Sequence, residues 1–455
     1  MNKIALPRGA RQIIQRLSTH GYSAYVVGGC VRDSLIGVPP KDWDICTSAL
    51  PEEVKGCFPD IRIIETGLKH GTVTLVMGDD QYEVTTFRID GKYSDNRRPD
   101  SVEFVTDVTL DLARRDFTIN AIAYNNVEGF IDPYGGTQDI ANKRLRCVGN
   151  AVDRFNEDGL RIMRALRFAS TYSFAIDPDT AIAIHDCADL LNNIAAERIN
   201  TELCRLLKGS NVLNVLLEYP DIIATIIPEI APCIGFDQNN KYHVYTIYDH
   251  IAHAVANYHG DDTCTKVALL LHDIGKPQCY SEDENGGHFY GHGVPSCTLA
   301  TEVVQRLKFD KQSQKDITEL VLYHDAVIEP TKRVVKRWLN RVGELQFMRL
   351  MDIRLADIQA HTPGTQESRI QRRDETVLIA RQIIADNQCF SLKDLAIDGE
   401  DIMTSFGIPQ CQRVGKLLKA ALNAVIDGVV ENDRDTIINY LLQNYHIEVN
   451  DNGKC

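Results

Sequence analysis

The sequence predicts an α+β chain: about 150 residues in which short strands alternate with helices, followed by a predominantly helical remainder. Two patterns carry this prediction. Up to about Asn150, β-branched and alternating stretches at 25–27, 42–46, 61–64, 72–77 and 82–87 read as strands, with Gly, Pro and Asp gathered between them. Beyond that point strand signals nearly vanish. Apolar residues then recur at helical spacing, through Leu160, Met163, Ala165 and Leu166 and again through Leu203, Leu206 and Leu207. The polar, Gly- and Pro-containing stretch 89–101 has no apolar period and is expected to be a loop. At 455 residues the chain has room for about three domains, and the lack of any fixed-period repeat argues against a solenoid.

Composition narrows the function classes. With 49 basic and 63 acidic residues the net charge is −14, which argues against diffuse coating of nucleic acid but leaves room for a local basic groove. A hydrophobic fraction of 44% is that of a globular protein, not of a disordered one. No apolar run approaches the roughly 18 residues of a spanning helix, and the first residues are too interrupted by charge for a secretory signal. A cytoplasmic protein without membrane partners is therefore expected. The 13 cysteines form no CxxC pair and are expected to be reduced, buried thiols.

The strongest chemical signal begins at YVVGGCVRDSLIG, where Gly28 and Gly29 sit between a strand and a helix that carries Arg32 and Asp33. A glycine pair there lets backbone N–H groups approach a phosphate, and a helix start favours anions. KDWDICT follows, with Asp42 and Asp44 two apart on an expected strand, so that both carboxylates point to one face. Such a pair repels itself unless a cation lies between, and oxygen ligands suit Mg²⁺. Glu83 alternates correctly on a neighbouring strand to be a third carboxylate. In the cluster Arg114-Arg115-Asp116, two adjacent guanidiniums cannot face the same way. One is expected to clamp phosphate or ribose and the other to pair with Asp116 or a neighbouring carboxylate. In EDGLRIMRALR, Asp158, Arg161 and Arg164 are spaced by three and are expected to share a helix face, where acceptors of Asp158 and donors of Arg161 complement the edge of a nucleobase.

Together these blocks resemble the nucleotidyltransferase superfamily that includes DNA polymerase β, and within it the class II tRNA nucleotidyltransferase and bacterial poly(A) polymerase family. LARRDFTINAIAYN (112–125), RFNEDGLRIMRALRF (154–168) and ERINTEL (197–203) agree with that family. The resemblance implies a nucleotidyltransferase head with a mixed sheet, followed by a helical neck, body and tail. It implies Asp42 and Asp44 as catalytic Mg²⁺ ligands and Gly28, Gly29, Arg32, Asp33, Arg114, Arg115, Asp116, Asn120, Asp158, Arg161, Arg164 and Arg167 as nucleotide-binding residues. Asp158 and Arg161 would act as a protein template for CTP or ATP, and the reaction would add CCA to tRNA 3′ ends. Poly(A), A-only and CC-only polymerases share nearly all these blocks.

A second signal lies further on. His250 in YTIYDHIAHAV, His272-Asp273 in VALLLHDIGK, His292 in FYGHG and His324 in VLYHDAV resemble the HD phosphohydrolase superfamily. These residues, with Asp357 as a possible late carboxylate, could hold a divalent transition metal or Mg²⁺ and hydrolyse phosphoesters. The alternative is a helical body that supports tRNA. Lys332, Arg333, Lys336, Arg337 and Arg341 recur on an expected helix, with Arg349, Arg354, Arg369, Arg372 and Arg373 beyond, and form a candidate RNA-contacting stripe. The expected divisions are a head at 1–150, a neck at 151–215, an HD-type body at 216–345 and a tail at 346–455.

Overall fold

A computed structural model of the chain describes residues 3–91, 101–284 and 286–445. It divides into two compact units. The first comprises residues 1–231 and 306–309, and the second 232–305 and 310–455.

The first unit opens with helix α1 (Arg8–Thr19), whose Ala10, Ile13, Ile14 and Leu17 are buried at the spacing of one helix face. They pack on a seven-stranded sheet ordered β3-β4-β5-β2-β1-β8-β9. Its strands are β1 (Ala24–Val27), β2 (Ile45–Thr47), β3 (Arg62–Ile64), β4 (Thr72–Met77), β5 (Asp80–Thr86), β8 (Ala123–Asn125) and β9 (Gly129–Ile131). Between them a separate ribbon pairs β6 (Arg88–Asp90) with β7 (Val102–Phe104). Residues 89 and 90 of the expected loop are thus strand, and 92–100 lie outside the described residues. The sheet is mixed: β1 runs antiparallel to both β2 and β8, whereas β2 and β5 are parallel.

The helices of this unit that matter for the site are α2 (Gly29–Ile36), α3 (Pro51–Cys57), α4 (Val108–Ala113), α5 (Gly136–Ala141), α6 (Ala151–Glu157) and α7 (Leu160–Tyr172). Helix α7 is buried along Leu160, Ile162, Met163, Ala165, Leu166 and Phe168 and packs on the helix Ala196–Leu207. Each such side chain contributes about 1.5–3 kcal/mol of burial. The one departure from helix in this region is the two-residue ribbon Ala175–Ile176 against Arg144–Leu145.

The second unit is helical apart from a ribbon of Ser281–Asp283 and Gly286–His288. Helices Ile247–Asn257, Thr263–Leu271, Lys311–Tyr323 and Glu344–Gln359 pack around one another. Helices Gly399–Phe406, Gln412–Ile426 and Arg434–Asn444 build a separate apolar cluster around Ile402, Leu417, Ala421 and Leu441. Among the described residues no helix is long and apolar enough to cross a membrane.

Candidate functional site

Sheet register creates an acidic corner. Ile45 of β2 lies beside Val84 of β5, and both are buried in the core. In parallel strands the preceding residues, Asp44 and Glu83, are then neighbours on the opposite face. Asp42 and Asp44 do not lie within β2. They occupy the stretch just before it, because the ladder begins only at Ile45. The segment is nonetheless tied to the sheet, since Val27 N donates to the Asp44 carbonyl at 3.0 Å. Burial, and then the charges of Asp42 and Glu83, push the Asp44 carboxyl up to about 6, with Arg115 opposing. The charges of Asp42 and Glu83 thus bear on Asp44, and carboxylate oxygens are the donors a hard divalent cation takes, although these three acids are not drawn into a close ligand group like those of the second unit.

Opposite the acids, β1 ends at Gly28, where φ is +78°. A β-carbon at Gly28 would meet Arg115 Nη1 at 2.8 Å, so the turn requires glycine for both conformation and space. The N-terminus of α2 then begins at Gly29.

The arginine pair behaves differently from expectation. Both guanidiniums turn back onto Asp111, which is fully buried: Arg114 Nε at 2.9 Å from its Oδ1 and Arg115 Nη2 at 3.3 Å from its Oδ2. Burial pushes Asp111 up, but Arg115 and Arg114 outweigh it and hold the carboxyl below its ordinary range. Arg115 Nε finds no hydrogen-bond partner among the described residues, and Nη1 of the same guanidinium lies beside the glycine turn. Arg115 is therefore the phosphate-clamp candidate. Asp111 was missed in the sequence, although its i, i+3 and i, i+4 spacing to the two arginines was visible there.

Asp116 pairs instead with Arg164, accepting from Nε at 2.9 Å and Nη2 at 2.6 Å. Its other oxygen accepts from Asn120 Nδ2 at 2.9 Å. Burial raises Asp116, but Arg164, the Asn120 amide and Arg161 hold it well below the carboxylate range. Asn120 Oδ1 accepts in turn from Arg32 Nη1 at 2.6 Å, and Arg32 bonds Asp33 Oδ1 at 2.8 and 2.9 Å. The Arg32 guanidinium lies against both Phe168 and Tyr172, 4.9 and 4.8 Å from the centroids of these two rings, which themselves stack at 5.8 Å. Arg167 stacks on Phe168 at 3.9 Å and pairs with Glu202 at 2.7 Å. Burial pulls Arg167 down to about 10 against the pull of Glu202.

Asp158 and Arg161 do not share a helix face. Asp158 is extended (φ −143°, ψ 103°) at the break between α6 and α7, and its Oδ1 accepts from Leu160 N at 3.1 Å. The chain leaves the helix at Asp158 and re-enters it at Gly159, which packs so closely on Leu190 that a β-carbon there would lie 3.0 Å from Leu190 Cβ. Arg198 holds Asp158 at 2.7 Å. Arg161 donates to Glu157 at 2.7 Å and to the Arg114 carbonyl at 3.0 Å.

In the second unit, the six expected residues meet, and Lys276 and His361 join them. His250 Nε2 lies 2.9 Å from Asp357 Oδ1 and 3.4 Å from Asp273 Oδ2. His272 Nε2 is 3.2 Å from the same Asp273 oxygen, and Lys276 Nζ is at 2.7 Å from it. The other oxygen of Asp273 faces His292 Nε2 at 3.2 Å and His324 Nε2 at 3.5 Å. The Nδ1 atoms of His272, His292 and His324 each bond a backbone carbonyl at 2.7–2.8 Å, so their Nε2 lone pairs face the carboxylate. His292 and His324 bring these lone pairs within 2.9 Å of each other. Groups able to hold a metal ion are His250–His272–Asp273, His250–Asp357–His361 and Asp273–His292–His324. His272 Nε2 and Asp273 Oδ2 are buried without a hydrogen bond, which again fits a cation.

The expected basic stripe lies on the helix Lys332–Val342. Arg333 and Arg337 both pair with Asp427, at 2.9 and 2.8 Å, which half-neutralises them. Lys336 is partly buried, and its ammonium is pulled down by that burial, whereas Lys332 is exposed.

Comparisons with known proteins place the chain by domain and fold. The profile of the poly A polymerase head domain matches residues 24–146, that of a probable RNA and SrmB binding site of polymerase A matches 173–234, and that of a putative tRNA nucleotidyltransferase domain 2 matches 296–441. The chain is 35% identical over 432 residues to the CCA-adding enzyme of Geobacillus stearothermophilus, covering 95% of each. It is 52% identical over 204 residues to that of Geobacillus kaustophilus, covering 45% of this chain and 50% of the relative. Its fold is similar to the crystal structure of the Bacillus stearothermophilus CCA-adding enzyme in complex with CTP, with a TM-score of 0.71, 30% identity and coverage of 95% and 96%.

Proposed function

The chain belongs to the CCA-adding enzyme family, and from that premise we propose that it adds C, C and A to the 3′ end of tRNA, using CTP and ATP and no nucleic-acid template. The observation that carries this reading is the acidic corner of Asp42, Asp44 and Glu83 facing the Gly28 turn and Arg115. In the reaction the tRNA 3′-hydroxyl attacks the α-phosphorus of the bound nucleotide and pyrophosphate leaves. Asp42 and Asp44, with Glu83 beside them, would hold Mg²⁺, which lowers the pKa of an attacking hydroxyl and neutralises charge on the entering and leaving oxygens. Gly29 supplies a backbone N–H at the start of α2, and Gly28, whose own N–H bonds the Ile122 carbonyl, supplies an uncrowded approach for the triphosphate. Arg115 neutralises phosphate charge at that turn. Arg32, Asp33, Asn120, Asp116, Arg164 and Arg167 fix the floor of the pocket through their mutual pairing. Asp158 and Arg161 read the base edge.

The test uses tRNA transcripts ending before CCA, at C and at CC, incubated with CTP and ATP separately and together. Stepwise addition of C, C and then A is expected. A-tails without any C would move the chain to the poly(A) group. The cytoplasm, where tRNA ends and both nucleotides meet, is the compartment this reaction requires, and buried thiols such as Cys30 and Cys46 suit its reducing conditions.

A second reading, favoured by the convergence of five imidazoles and two carboxylates, concerns the second unit. There His250, His272, Asp273 and Asp357 would hold one divalent ion, and His292 and His324 a further one across Asp273. Nitrogen-rich donors of this kind suit Mn²⁺, Ni²⁺ or Zn²⁺ better than Mg²⁺. Such a centre supplies activated water for phosphoester hydrolysis. Full-length protein incubated with each ion and a phosphate ester tests it, with phosphate release expected.

A further inference from the structure

Beside the His–Asp cluster lies a cavity of about 320 Å³ whose lining includes Asp325, Arg354, Arg369, Arg372, Arg373 and Thr376. Three connections bring it against the cluster. Asp325 follows His324, Arg354 lies three residues before Asp357 on the same helix, and Arg369 Nη2 is 3.8 Å from Asp357 Oδ2. The arginines are unequally committed. Arg373 is spent on the Met351 carbonyl, Asp352 and Asp374 and forms wall. Arg354 donates to the Ala326 carbonyl, a neutral partner, and lies in the field of the Asp325 and Asp357 carboxylates as well as of Arg369 and Arg372. Arg372 reaches only the exposed Glu329, at 3.5 Å, and the Arg369–Asp357 contact is too long for a hydrogen bond. Guanidiniums gathered around an open space gain little for the fold, because mutual repulsion and desolvation offset the pairs they make. Planar N–H forks around a small cavity match phosphate oxygens.

We infer that Arg354, Arg369 and Arg372 form a phosphate cradle for the His272–Asp273 centre, so that its ligand carries two phosphate groups, one in the cradle and one at Asp273. This rests on the second reading above and narrows it. The shared chemistry is a sugar bearing separate phosphates, which a free nucleoside 3′,5′-bisphosphate and an RNA 3′-end with a terminal phosphate both present.

The experiment titrates full-length protein, saturated with CTP to occupy the head and loaded with Mn²⁺, with adenosine 3′,5′-bisphosphate and with the trinucleotide CCA carrying a 3′-phosphate. Binding of at least one probe is expected, weakened about tenfold in Arg369→Gln and in Arg372→Gln, with Mn²⁺ content unchanged. Selective binding of the trinucleotide assigns the cradle to RNA ends, and of the bisphosphate to free nucleotides. Probe affinity unchanged in the double variant Arg369→Gln/Arg372→Gln overturns the cradle. The same holds if tRNA affinity falls in that variant while neither probe is affected, since the arginines would then track RNA backbone. Wild-type protein without bound Mn²⁺ overturns the reading of the metal centre instead.

Discussion

Arg198 closes on Asp158 with two hydrogen bonds, Nη2 to Oδ2 at 2.7 Å and Nη1 to Oδ1 at 3.3 Å. The acceptors assigned to base reading are thus oriented by a guanidinium from the helix Ala196–Leu207, not by Arg161. Replacing Arg198 by Ala releases the carboxylate and should blur the choice between nucleotides more than it slows transfer. Incorporation of all four nucleotides, compared as kcat/KM, checks this. Arg198→Lys, which keeps charge but not the fork, should recover part of the discrimination.

Arg161→Ala should act in the same direction. It should lower the preference for CTP and ATP by about tenfold or more while leaving the fold intact, and an unchanged preference would remove Arg161 from base reading. Circular dichroism provides the control, because Arg161 also ties α7 to the Arg114 carbonyl.

Asp44 links chemistry to pH. Its carboxyl is raised to about 6 in the fold, so the proton is bound more tightly by the folded than by the unfolded chain. The resulting stabilisation is full below about pH 4 and is lost as pH rises through 6. In chelator, Asp44→Asn should therefore raise Tm by about 2–4 °C above pH 6 and give no gain near pH 4. Added Mg²⁺ should raise the wild-type Tm and cancel the difference. The same variant should lose nucleotide addition by at least about a thousandfold.

Gly28→Ala places a methyl group 2.8 Å from Arg115 Nη1 at a positive φ. The expected cost is about 1–2 kcal/mol of stability, with a rise in KM for both nucleotides as Arg115 is displaced. Thermal unfolding and steady-state kinetics measure the two effects separately.

Much of the head was legible because its strands obey local rules. The stretch 72–77 matches β4 to the residue, and 25–27 and 61–64 fall within one residue of β1 and β3. Strands β8 and β9 escaped notice, since three-residue strands such as Ala123–Asn125 owe their state to pairing across the sheet, not to alternation. The acidic pair was legible for the same reason as the glycine turn: spacing alone brings Asp42 and Asp44 together. Who pairs with whom was not. Asp111 takes both arginines, Asp116 takes Arg164 forty-eight residues away, and Asp158 takes Arg198 forty residues away. The last two partners, at such separation, leave no periodic trace, whereas Asp111 does stand at helical spacing from its arginines. The helical spacing read across Asp158 failed because Asp158 is itself extended, its carboxylate accepting the Leu160 N–H where α7 begins. The His–Asp cluster was found through His272-Asp273, but the roles of Lys276 and His361 become visible only once the helices assemble.

The chain of alternating charges from Asp33 through Arg32, Asn120, Asp116 and Arg164 to Glu202 and Arg167 has a mechanical consequence. The links from Asp33 to Arg164 are hydrogen bonds of 2.6–2.9 Å, with the Arg164–Glu202 contact looser at 3.9 Å, so α2 and α7 are tied together through Asn120 and Asp116. On the proposed reading, a change from accepting cytosine to accepting adenine would then fall to the groups outside this network, Asp158, Arg161 and Arg198, while α2 and α7 keep their mutual placement.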